Sequence, residues 1–133
     1  MQKWITKSEK WLIMSESILR QKSYAFALKV IKVYKQIVAE HKEYVLSKQF
    51  LKAGTSIGAM VREAEFAQSK LDFISKLSIS LKEANETDYW ISLLRESGFI
   101  SFETATDLLA DNKELISMLI SSIKTSKQSL HPK

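Results

Sequence analysis

Apolar residues recur along this chain at spacings of three and four, the period of an amphipathic helix. Over about Ser17 to Lys42 one row reads Phe26, Val30, Val33 and Ile37, and a second reads Tyr24, Leu28, Ile31 and Val38, with Ala27 and Tyr34 alongside. Two rows make a stripe wider than one helix needs to cover one core, so the surplus predicts burial against another subunit. A second helix is expected over about Ser47 to Gln68, with Phe50, Ala53, Ile57, Val61 and Ala64 inward. Ser69 followed by Asp72 fits the start of a capping box. It opens a third helix that uses Phe73, Leu77, Leu81, Ala84, Ile91 and Leu94 and stops at Gly98, a residue suited to a left-handed C-cap. Ser101 caps a fourth, whose seam is Leu108, Leu115, Leu119 and Ile123, with Leu109, Ile116 and Ile120 beside it.

Turn-formers are scarce: Pro132 is the one proline, and the glycines are Gly54, Gly58 and Gly98. Four helices with short connections predict an all-α, antiparallel up-down-up-down four-helix bundle over 14–128, flanked by a leader, 1–13, and a tail, 129–133. Trp4, Ile5, Trp11, Leu12 and Ile13 make the leader too apolar for a plain disordered tail, although its periodicity is poor.

At 133 residues the chain is one domain with room for a proper core. It has no cysteine, which excludes disulfides and thiolate metal sites. No apolar run approaches the ~18 residues of a membrane span. Its first ten residues are charged where a signal peptide turns apolar. The expected location is therefore the cytoplasm. The net charge of +5 divides unevenly: residues 1–62 carry 12 Lys/Arg against 4 Asp/Glu, and residues 63–133 carry 8 against 11, so the halves are +8 and −3. Such a chain can offer a basic surface to a polyanion, or bring its basic half to the acidic half of a neighbouring copy. The plain alternative is a solvated surface with chance clustering.

Few residue groupings carry chemistry. Gly54-Thr55-Ser56-Ile57-Gly58 matches the nucleophile elbow of α/β-hydrolases, but that elbow needs a strand-to-helix turn and a histidine. The segment before it is helical, and the only histidines, His41 and His131, sit at a helix end and in the tail. Gly54 and Gly58 share one helix face with Ala53, Ser56 and Ala59 nearby, which instead predicts close approach of a second helix. Glu83 and Glu86 lack the Glu-x-x-His partners of a di-iron bundle. They are expected to pair across helices with Arg62, next to Glu63. No catalytic residue, metal ligand or cofactor is therefore assigned. Lys22, Lys29, Lys32, Lys35, Lys48 and Lys52 are candidate phosphate contacts, with Tyr24, Tyr34 and Tyr44 interleaved as stacking platforms. Lysines on the wet side of an amphipathic helix are also simply solvated. Tyr89-Trp90 reads as a core or interface pair rather than a ligand cage.

The order of elements at 47–94 resembles the four-helix-bundle proteins encoded in intervening sequences of bacterial 23S ribosomal RNA genes. The likeness is carried by Ser47-Lys48-Gln49, Gly54-Thr55-Ser56-Ile57-Gly58-Ala59, Arg62-Glu63-Ala64, Ala67-Gln68-Ser69, Asp72-Phe73-Ile74, Lys76-Leu77, Leu81-Lys82-Glu83-Ala84-Asn85-Glu86-Thr87 and Tyr89-Trp90. Upstream, Lys22-Ser23-Tyr24-Ala25-Phe26-Ala27 looks like the start of the family's first helix, and the likeness extends over about 16–126. Met60-Val61 stands where the family more often has Asn-Ile. The resemblance implies a homopentamer arranged around a central channel, with no enzymatic activity attached. A distant cousin is the accessory variability protein of diversity-generating retroelements, a basic pentamer that works with a reverse transcriptase and nucleic acid. The function expected is a non-enzymatic oligomer that binds structured RNA or DNA through its basic surface. The alternative is a protein-interaction scaffold with no nucleic-acid binding.

Overall fold

The computed structural model describes the backbone of residues 7–130 and the side chains of residue 14 and residues 17–130. Four helices run in order: α1 Lys7–His41, α2 Leu46–Glu65, α3 Lys70–Glu96 and α4 Phe102–Leu130. Each packs on its neighbours in sequence and α1 closes on α4, while the backbones of the diagonal pairs stay farther apart among the described residues. This is the expected up-down-up-down bundle. α1 begins at Lys7, ten residues ahead of Ser17, so the second half of the expected leader is helix. Residues 1–6 lie outside the described residues, as does His131 in the expected tail.

The connections show why the helices stop where they do. Lys42 closes α1 with φ 52°, the left-handed geometry that usually falls to glycine. Glu43 then caps α2. Its Oε1 accepts from the backbone N–H of Val45 (3.1 Å) and Leu46 (2.7 Å), and its Oε2 from that of Ser47 (2.8 Å). Three of the N–H groups that open the helix are thereby satisfied. Ser69 Oγ accepts from the N–H of Asp72 at 3.0 Å, as the capping motif predicts. Gly98, with φ 80°, ends α3, and the Phe99 N–H donates back to Leu94 O at 2.9 Å. Ser101 Oγ accepts from the Thr104 N–H at the start of α4.

The core follows the predicted rows. Phe26, Val30, Val33 and Ile37 of α1 are buried, as are all five inward residues of α2 and the α4 seam from Leu108 to Ile123. On α3, Leu77, Ala84, Ile91 and Leu94 are buried, whereas Phe73 and Leu81 are only partly covered and Ile74 takes a core place. Of the second row of α1, Tyr24 (57% exposed) and Leu28 (53%) stay outside, whereas Ile31 and Val38 are half-buried. A polar group is threaded through the core. Ser80 Oγ donates to Ile57 O across α2–α3 at 2.8 Å, and Asn112 Nδ2 donates to Ala84 O across α3–α4 at 2.8 Å.

Candidate nucleic-acid interface

The α1–α2 hairpin carries most of the residues singled out from the sequence, and its two glycines set how closely its helices approach. A Cβ on Gly54 would fall 2.7 Å from Val30 Cγ2, and one on Gly58 would fall 3.3 Å from the Ser23 backbone oxygen. Both glycines thus face α1, as the small-residue spacing predicts. Ser56 sits mid-helix and its Oγ donates to Lys52 O at 2.6 Å, so the hydrolase-like motif is a packing motif. His41 is occupied elsewhere, edge-on against Phe99 with ring centroids 5.4 Å apart.

The six candidate lysines divide. Lys22 Nζ pairs with Glu114 at 2.7 Å. Lys29 Nζ reaches both Asp107 (2.9 Å) and Asp111 (2.6 Å), and those hydrogen bonds, Asp107 first, raise its pKa against the opposing effect of burial. Both lysines are therefore engaged by α4. Lys32, Lys35, Lys48 and Lys52 are exposed and form no ion pair among the described residues. Gly54 lies opposite Val30 and Glu65 pairs with Arg20 at 3.2 Å, so the antiparallel register sets residues 32–35 level with residues 48–52. The four uncompensated lysines gather on the half of the hairpin nearest the 42–45 connection. Tyr44, in that connection, is exposed, and Tyr34 is half-buried.

At the other half of the hairpin lies a groove of about 290 Å³, floored by Ala27, Gly58 and Ala59, walled by Tyr24 and Ile31, with Arg20 and Arg62 at its end. The sequence did not single out this groove, although Tyr24 and Ile31 of the surplus apolar row of α1 line it.

The expected pairing of Arg62 with Glu83 or Glu86 is not formed. Ser80 lies opposite Ile57, so the register carries Arg62 toward the start of α3 and brings Lys52, not Arg62, to the level of Glu83. Burial pushes the Glu83 carboxyl up, Glu86 adds to the effect, and Lys82 and Lys52 oppose it. No group of three or more potential metal-ligating residues occurs among the described residues. Tyr89 and Trp90 pack edge to face, centroids 5.1 Å apart at 73°, on the outer part of α3 beside Glu86.

No described helix is long and apolar enough to cross a membrane. No protein of curated function matched the chain. Among solved structures, the chain is similar to a protein of unknown function from the S23 ribosomal protein family of Bacteroides thetaiotaomicron VPI-5482. The two are 49% identical with a TM-score of 0.81, and the match covers 83% of this chain and 98% of that one. The family model of the 23S rRNA-intervening sequence protein matches residues 15–121, which span all of α2 and α3 and most of α1 and α4. With this fold and that extent of match, the chain belongs to the 23S rRNA-intervening sequence protein family.

Proposed function

We propose that this protein is a non-enzymatic cytoplasmic bundle that self-associates, as the homopentamer its family resemblance implies, and binds structured RNA or DNA. The observation that carries the reading is the set of four lysines, Lys32, Lys35, Lys48 and Lys52, gathered at one end of the hairpin with no ion pair among the described residues, Lys52 feeling only the longer-range attraction of Glu83. A lysine already held by a carboxylate gains little from a phosphate, because the new pairing must replace an existing one. Lys22 and Lys29 are thus secondary to the other four. An uncompensated ammonium gains by displacing condensed counterions from the nucleic acid. Repeating the cluster on every copy multiplies weak attractions along one polyanion.

The scaffold reading draws support from Tyr24 and Leu28, apolar side chains more than half exposed on α1. Fluorescence anisotropy with structured RNA and duplex DNA across a salt series separates the two. Nucleic-acid binding is expected to weaken steeply with salt. For duplex DNA the log–log slope should shrink by about 0.9 for each lysine–phosphate pairing that Lys48→Ala or Lys52→Ala removes. Lys22→Ala should change little. A flat signal at ~0.15 M salt, where screening acts beyond about 8 Å, would leave the scaffold.

A further inference from the structure

The α1–α2 groove and the outer face of α3 carry, respectively, an apolar slot with an exposed cation and an exposed aromatic with a carboxylate. The groove is apolar along its floor and walls, and Arg62 at its end is exposed with no ion-pair partner among the described residues. Its neighbour Arg20 is occupied by Glu65. On α3, Tyr89 is 58% exposed and is steadied by the edge of Trp90. Glu86, three residues earlier and so on the same helical face, is exposed beside it. On that face Glu86 stands between Tyr89 and Lys82 as the carboxylate nearest the ring, and Arg62 supplies the opposite charge at the groove.

We infer that Tyr89 of one copy inserts into the α1–α2 groove of a second copy, with its Glu86 against Arg62. This rests on the self-association proposed above and names the surfaces that meet. A slot of about 290 Å³ with small residues beneath it receives one aromatic ring. Tyrosine has only two side-chain torsions, so ordering its ring on docking costs little. A carboxylate meeting a bidentate guanidinium at the rim adds orientation to the apolar contact. Nucleic acid is a poorer occupant, because the lining is mostly apolar and only Arg62 of its two arginines is free of a carboxylate partner among the described residues. α3 packs on α2 and α4, with its backbone farther from α1, so its outer face and the groove are different surfaces. Made reciprocally the contact gives a two-fold dimer; made one way it closes a ring or extends a filament.

Light scattering on the full chain at micromolar concentration tests this, with circular dichroism to confirm that each variant stays helical. Tyr89→Ala, Arg62→Glu and Glu86→Arg are each expected to reduce the particle to the 15.3 kDa single chain. The Arg62→Glu/Glu86→Arg double variant should regain the wild-type mass, since the charges are exchanged rather than removed. A double variant that stays monomeric overturns the Arg62–Glu86 pairing. An oligomer that survives all three single substitutions overturns the contact but leaves self-association intact. A monomeric wild type overturns both.

Discussion

Gly54 and Gly58 lie on the same helix face and face α1, yet their surroundings predict different costs. A methyl at Gly54 would meet both γ-carbons of Val30, at 2.7 and 2.8 Å. Val30 is fully buried and β-branched, so it has nowhere to rotate. Gly54→Ala should therefore destabilise: overpacking of about 1–3 kcal/mol outweighs the roughly 1 kcal/mol that alanine returns in helix propensity. At Gly58 the nearest atom is the Ser23 carbonyl oxygen at 3.3 Å, tight but short of a clash, beside an open groove. Gly58→Ala should fall near neutral, within about 0.5 kcal/mol of wild type, because the same propensity gain has less to offset. Urea titrations of the two variants check the order, and equal destabilisation would refute it. The spacing of the glycines was legible in the chain. The difference between them was not, because it depends on which α1 residue stands opposite each.

At the scale of elements, caps that use short side chains were readable, and the one that uses a long side chain was not. Ser69, Gly98 and Ser101 each act within three or four residues, a range that a motif captures. Glu43 caps α2 from two residues before the cap position, where no serine–acid pattern points. Long-range register was illegible for a related reason. Periodicity says which face of α2 and α3 is inward, but the Ser80–Ile57 bond sets their offset, and that offset separates Arg62 from Glu83. Burial pushes the Glu43 carboxyl up, but the N–H groups of Ser47 and Leu46, the Ser47 hydroxyl and the Val45 N–H outweigh it and lower its pKa. A carboxyl depressed on folding stabilises fully above its unfolded pKa of about 4.3 and forfeits that contribution as pH falls through the folded value. Glu43→Gln keeps one acceptor oxygen but loses the charge, so at neutral pH it should cost less than the about 0.5–2 kcal/mol of removing an N-cap altogether. The gap in melting temperature from wild type should close as pH falls from about 5 toward 3. A gap that stays constant with pH would remove the charge from the explanation.

Over the whole molecule, the core rows fill one bundle completely, and what remains is apolar surface that the single chain does not cover. Tyr24 lines the groove, Leu28 is exposed on the same helix, and Tyr89 stands exposed on α3. Exposed large apolar side chains scattered singly mean little, but a lined groove and a braced aromatic on different sides mark interaction surfaces. If copies cover these surfaces for one another, part of the stability of each bundle comes from mass action, because only the folded chain presents the groove. Stability then depends on how much protein is in the tube. Raising the concentration from ~1 to ~100 μM should lift the melting temperature by roughly 5–10 °C, given the entropy of unfolding of a domain this size. The same series on Tyr89→Ala should show a smaller rise or none. Scanning calorimetry at three concentrations makes the comparison directly. A wild-type melting temperature that stays fixed across that range would mean the bundle is energetically complete as a single chain. The exposed row of α1 would then have to be stabilised by something other than a second copy.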